Sequence, residues 1–146
     1  MPINSGLQSD STFQIWLVED DDAQSELFKI LLKTNYPSIP LKIFTNGASV
    51  VAAVEDCSPE INPRTTLVLS DLNLPDMSGI EMLTCLGKKV STSKFRFLLF
   101  TQMANPKIVE SAYAAGATAF LSKPESLEEY QVLLTSLVNF WSQVIC

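Results

Sequence analysis

The sequence contains no histidine in its 146 residues. That removes His-based triads, imidazole metal ligands and a phosphohistidine carrier from the chain. Cysteine is scarce as well. Cys57, Cys85 and Cys146 are widely spaced, odd in number and form no CxxC pair. A disulfide scaffold or zinc site is therefore not expected, and reduced thiols suit a cytoplasmic protein. Positive charge is in the minority, with ten Lys and Arg against sixteen Asp and Glu, a net charge of -6 and a pI near 4.5. Phosphate-backbone binding needs clustered Lys and Arg, so direct nucleic-acid contact is not expected. No apolar run reaches about 18 residues, so no membrane span is expected. The polar stretch Met1 to Thr12 does not read as a signal peptide.

What remains is a chain that is 47% hydrophobic and 18% charged, the balance of one ordinary globular domain. Residues 1–12 read as a flexible arm and 13–146 as a single domain, with no output domain seen. Phe13 to Val18 reads as a strand, followed by four acids, Glu19 to Asp22. Asp21 or Asp22 is expected to cap a helix from about Ala23 to Asn35, with Leu27, Phe28, Leu31 and Leu32 on its buried face. Leu41 to Phe44 is a second strand and Ala48 to Asp56 a helix. After a loop from Cys57 to Thr66, Leu67-Val-Leu69 reads as a buried parallel strand ending at Ser70 and Asp71. Pro75 forbids further ladder pairing, and Gly79 opens a helix to about Leu86. Lys94 to Phe100 is a fourth strand, ending at Thr101. Asn105-Pro106 is a helix start, and Gly116 ends that helix. Ala119 to Leu121 is a short fifth strand, broken by Ser122-Lys123-Pro124. Ser126 to Glu129 has the form of a capping box for a last helix running to about Val144, with Leu127, Tyr130, Leu134, Leu137, Val138 and Trp141 on one face.

Five alternating strand–helix units imply an α/β fold with a doubly wound parallel sheet and helices on both faces. The conspicuous polar residues then fall on one edge. Glu19 and Asp20 follow the first strand, Asp71 ends the third, Thr101 ends the fourth and Lys123 follows the fifth. The carboxyl edge of such a sheet is where ligands are placed. Three carboxylates within reach of one another need a divalent cation, and Mg²⁺ (or Mn²⁺) suits an all-oxygen set that also meets phosphate oxygens. A lysine and a hydroxyl opposite can hold the remaining phosphoryl oxygens. A carboxylate is itself a competent nucleophile for phosphoryl transfer.

The motifs Leu-Val-Glu19-Asp20-Asp21, Ser-Asp71-Leu-Asn-Leu-Pro75-Asp-Met-Ser-Gly79, Phe-Thr101 and Lys123-Pro124, in this order on matching strands, resemble the response-regulator receiver domain of two-component signalling, the CheY-like family. The resemblance covers about residues 13–145. It implies a flavodoxin-like (βα)5 fold and a phosphoacceptor switch. Asp71 matches the phosphoacceptor, Asp20 the acid that binds the metal directly and Glu19 its neighbour. The backbone carbonyl of Asn73 matches a further metal ligand. Thr101 matches the switch hydroxyl, Phe120 the switch aromatic and Lys123 the lysine that pairs with the phosphoryl group. A cis Lys123–Pro124 bond is implied as well. The implied partners are a sensor histidine kinase or histidine phosphotransfer protein and a downstream protein target. The implied activity is not that of a conventional enzyme: it is Mg²⁺-dependent self-phosphorylation from a phosphohistidine donor. Gln102 stands where the family often has a small residue. Met103 cannot orient a hydrolytic water by hydrogen bonding, so slow self-dephosphorylation is expected.

After Glu129 the last helix carries no charge through Cys146. That is either a neutral solvated face or a contact surface, including one for a homodimer through the last helices. Three rival functions remain at this level. A receiver-like interaction module working without phosphorylation would be signalled by a lost site residue, and none is lost. An aspartyl phosphatase resembles Asp-x-Asp, but Asn73 occupies the second position. A flavodoxin-like redox protein needs a phosphate loop where this chain has four acids.

Overall fold

The structure is a computed structural model, and it describes residues 13–56, 65–87, 95–102 and 105–143. Five strands and five helices alternate: β1 (Phe13–Val18), α1 (Asp22–Asn35), β2 (Leu41–Phe44), α2 (Gly47–Asp56), β3 (Thr65–Asp71), α3 (Gly79–Leu86), β4 (Phe95–Thr101), α4 (Pro106–Ala115), β5 (Ala119–Ser122) and α5 (Leu127–Trp141). The strands form one parallel sheet in the order β2-β1-β3-β4-β5. The winding direction reverses between β1 and β3. A crevice opens at the carboxyl ends of strands where that reversal occurs.

Why the sheet is buried on both faces is written in its period of two. Phe13, Ile15 and Leu17 of β1, Leu67 and Leu69 of β3, and Leu98 and Phe100 of β4 pack against Phe28, Leu31 and Leu32 of α1 and Leu134, Leu137, Val138 and Trp141 of α5. The intervening Trp16, Val18, Val68, Phe97 and Leu99 pack against Val50 and Val54 of α2, Met82 and Leu83 of α3 and Ala112 of α4. Two cores result, one on each face. β3 is longer than its apolar run suggests. It begins at Thr65 and Thr66, which are buried, and the Gln14 amide donates to Thr66 Oγ1 at 2.9 Å.

The helix ends show where local signals work. The Asp21 carboxylate accepts the Ala23 and Gln24 N–H groups at 2.9 and 3.1 Å, so Asp21 caps α1 and Asp22 is the first helical residue. Asn105 Oδ1 accepts the Ile108 N–H, with Pro106 behind it. Gly116 ends α4 in the left-handed region, φ 116°.

Several expectations are corrected. Ser126 caps α5 through the Glu129 N–H, but the Glu129 carboxylate accepts from the Glu125 N–H, one residue further back, so the box is only half made. A complete capping box stands instead at Ser78 and Glu81 of α3. Leu127 is 51% exposed, because the first turn of α5 lies beyond the sheet it later covers. Leu27 is half-buried and packs with Phe28, Leu31 and Leu32 on the face expected. The Lys123–Pro124 bond is trans: no cis peptide occurs among the described residues, and trans is the intrinsic preference even before proline. The arm at residues 1–12, most of the Cys57 to Thr66 loop, Lys94, Met103, Val144, Cys57 and Cys146 lie outside the described residues. Cys85 is exposed and not in a disulfide.

Gly116→Ala tests the C-cap. An L side chain in the left-handed region costs about 1–2 kcal/mol, so the melting temperature falls by a few degrees with no change in circular-dichroism shape. An unchanged melting temperature would show that α4 does not end as described.

Candidate functional site

The site is assembled where apolar strand interiors run out. Val18 is buried in the core under α2, α3 and α4, and the next residue, Glu19, still donates its backbone N–H to the Phe44 carbonyl at 2.9 Å. Its side chain is therefore held at the sheet edge and buried, while Asp20 turns out to solvent. Asp71 is the last residue of β3, opposite Phe100 in register. The ligand oxygens of Glu19, Asp20 and Asp71 lie within 4.8 Å of one another.

Lys123 comes from beyond β5, two strands away from β3. Its backbone N–H donates to the Thr101 carbonyl at 2.9 Å, which continues the β4–β5 ladder and aims the side chain back across β4. Its Nζ donates to Asp71 Oδ2 at 2.8 Å and to Glu19 Oε1 at 3.3 Å. All three side chains are largely shielded, at 12, 16 and 8% exposed for Lys123, Asp71 and Glu19. The other Glu19 oxygen accepts the Asp21 N–H at 3.1 Å.

Burial pushes the Glu19 carboxyl above its usual range, and the Asp71 charge pushes the same way. The Asp21 N–H and Lys123 only partly oppose this. Burial works to lower the Lys123 ammonium, but the hydrogen bond and charge of Asp71, with Glu19 behind it, outweigh that and raise it. Thr101 is half-buried at the end of β4, opposite Ser122. Phe120 lies half-buried in β5 against the core under α2, α3 and α4, and its backbone N–H donates to Tyr113 Oη of α4 at 3.1 Å. Asn73 is exposed and forms an isolated bridge with Ser78, and Gln102 is exposed.

Glu19, Asp20, Asp71 and Lys123 are thus brought together, with Thr101 joined to Lys123 through the backbone. Phe120 stands apart, on the face under α2, α3 and α4. The donor set is oxygen only, and with one lysine against three acids it retains excess negative charge. That fits a hard divalent cation. Sequence reasoning passed over Tyr130, whose hydroxyl donates to Gln24 Oε1 at 3.1 Å and bridges α5 to α1 beside Glu19, Asp71 and Lys123. It also passed over Asp76, whose partners lie in another element.

The family model for the response regulator receiver domain matches residues 15–135. The chain belongs to the response regulator receiver domain family. The receiver domain is 28% identical over 132 residues to the response regulator Rcp1 of Synechocystis sp., covering 90% of each chain. The crystal structure of the Mn(2+)-bound form of Rcp1 superposes with a TM-score of 0.72, covering 90% of this chain and 96% of that one. A response regulator receiver domain from Rhodospirillum rubrum, at 25% identity, gives a TM-score of 0.74, covering 90% of this chain and 95% of that one. Receiver domains are regulatory modules of two-component signalling and interact with histidine kinases and downstream targets. The receiver domain has the flavodoxin-like fold of these relatives, and its acidic cluster suits divalent-metal binding. No helix among the described residues is long and apolar enough to cross a membrane.

The sign of the Glu19 shift gives a test. A carboxyl raised in the folded state binds more protons there than when unfolded, so its charge costs stability at neutral pH and costs nothing below about pH 4.5. Glu19→Gln should therefore raise the melting temperature of metal-free protein at pH 7, with the gain vanishing near pH 4. The same change should shrink the stabilisation given by added Mg²⁺. A destabilised variant at pH 7 would show that the Lys123 and Asp21 contacts outweigh burial.

Proposed function

We propose that this receiver domain is a phosphoacceptor switch, with Asp71 taking a phosphoryl group from the phosphohistidine of a sensor histidine kinase or histidine phosphotransfer protein. The observation that carries the reading is Lys123 Nζ bonded to both Asp71 and Glu19 in a shielded acidic cluster. In the proposed reaction Asp71 Oδ attacks phosphorus, the bond from phosphorus to the imidazole nitrogen breaks, and the imidazole leaves with that electron pair. Glu19, Asp20, Asp71 and the backbone carbonyl of Asn73 would hold Mg²⁺ (or Mn²⁺). The cation would neutralise charge on the phosphoryl oxygens as they approach three acids.

Lys123 holds Asp71 oriented through its 2.8 Å bond before transfer, then pairs with a phosphoryl oxygen after it. Thr101 donates its hydroxyl to another, and Phe120 follows Thr101 as the packing around it changes. Met103 has no side-chain donor with which to orient a hydrolytic water, and Gln102 stands where the family often has a small residue. Both support a slowly reversed phosphoryl state, with no other enzymatic activity.

The output face is proposed to be α5. It carries no charge after Glu129, and Val132 and Phe140 on it are 67 and 64% exposed. A downstream protein or a second copy of the chain would dock there. Cytoplasmic residence follows from the kinase partner on this reading.

Intact mass after incubation with Mg²⁺ and a small phosphodonor tests the chemistry. One added phosphoryl group is expected, absent from Asp71→Asn and absent without Mg²⁺. A chain that repeatedly gains none works as an interaction module without phosphorylation.

A further inference from the structure

We propose that Asp76 is a positioning residue for this site: it ties the tip of the loop after Asp71 to the N-terminus of α2 and so fixes the backbone carbonyl of Asn73. This rests on the reading of Asn73 as a metal ligand given above.

The loop from Leu72 to Ser78 is closed at its base by backbone bonds. Leu72 N–H donates to the Phe100 carbonyl at 2.8 Å, Gly79 N–H to the Leu72 carbonyl at 2.6 Å, and Leu74 N–H to the Met77 carbonyl at 3.1 Å. Asn73 and Ser78 face each other as an isolated bridge. The Leu74–Met77 bond spans the tip from within, but none of these bonds ties the tip to the rest of the fold. The tip is held in trans by Asp76, whose Oδ1 accepts the Gly47 N–H at 2.8 Å and whose Oδ2 accepts the Ala48 N–H at 2.9 Å. Those bonds hold the Asp76 carboxyl below its usual range, so both oxygens stay available as acceptors at neutral pH.

The contact is close as well as polar. A Cβ at Gly47 would lie 2.6 Å from Met77 Cγ and 2.8 Å from its Sδ, so the tip sits directly on α2. Only Leu74 and Pro75 separate Asn73 from Asp76, a span of at most about 10 Å of chain. A tip released from α2 therefore passes its displacement to Asn73.

A plain helix cap is the competing account, and two observations separate them. α2 already has a local cap, because Asn46 Oδ1 accepts the Ser49 N–H at 2.8 Å. Asp76 is itself exposed, so shortening it leaves no core cavity. A bond that reaches across 29 residues to a helix with its own cap fixes the loop more than the helix. Outer-shell groups of this kind typically change metal affinity by about 10-fold or more when removed.

The experiment is calorimetric titration of Mn²⁺ into the full chain and its Asp76→Ala, Asp76→Asn and Asn46→Ala variants, with thermal melts of each. Asp76→Ala should weaken Mn²⁺ binding about 10-fold. Asp76→Asn, which keeps one acceptor oxygen but loses the charge, should fall between Asp76→Ala and the parent. Asn46→Ala should melt earlier yet bind Mn²⁺ as the parent does. Three results overturn the proposal: Asp76→Ala binding as tightly as the parent, Asn46→Ala losing as much as Asp76→Ala, or the two Asp76 variants losing equally, which would make the effect one of charge alone. If the parent itself binds no Mn²⁺, the metal reading of the site falls and the proposal with it. Binding by the parent with no effect in Asp76→Ala sinks the proposal only.

Discussion

Burying Glu19 beside Asp71 is the constraint on which the rest of the site depends. Two like charges no more than 4.8 Å apart repel by on the order of 3 kcal/mol or more at an effective dielectric of about 20. Desolvation of Glu19 adds to that. The protein tolerates both because Lys123 reaches both carboxylates, at 2.8 and 3.3 Å. One lysine does not neutralise three acids, and Asp20 completes a set that still carries excess negative charge. The site is thus short of positive charge, which suits a hard divalent cation.

The sheet order supplies the geometry. Glu19 and Asp71 can meet only because β1 and β3 are neighbours, and β1 and β3 are neighbours because the winding reverses between them. Lys123 must cross β4 to reach Asp71, and its backbone bond to the Thr101 carbonyl sets that direction. The strands themselves are mostly apolar, with Gln14, Lys42, Thr65, Thr66, Ser70 and Arg96 as polar exceptions before their ends. They are apolar on both faces, packed on α1 and α5 from one side and α2, α3 and α4 from the other. The acids and the lysine of the site lie at or just beyond the carboxyl ends of the strands, where the apolar packing stops.

That edge was legible because each of its residues is announced by the chain immediately before it. An apolar run stopping at Glu19, at Asp71 or at Thr101 needs no partner to be recognised. Asn105-Pro106 and Asp21 were legible for the same reason, since caps act within a turn of the residue that makes them. Glu129 was not: its choice between the Ser126 and Glu125 N–H groups depends on how the chain enters α5. Asp76 was invisible because its partners at Gly47 and Ala48 belong to another helix. Nor could the sequence decide the Lys123–Pro124 isomer, where cis and trans before proline differ by only about 0.5–1 kcal/mol.

Phe120 shows where the proposed switch would meet resistance. Its N–H is held by Tyr113 Oη, and its ring packs against the core beneath α2, α3 and α4. A ring that moves while the backbone stays keeps the Tyr113 bond. A backbone that moves loses it, at about 0.5–1.5 kcal/mol for a bond of ordinary strength. A phosphoryl group on Asp71 would make charged hydrogen bonds to the lysine and hydroxyl, each worth about 1.5–3 kcal/mol, so it can bias either movement. The cheaper route is the first, and it transmits the change to the outer surface of β5 while leaving α4 docked. On the proposed reading, then, the Phe120 ring responds on the face under α2, α3 and α4, opposite α5, and Tyr113 holds α4 in place as its fixed reference.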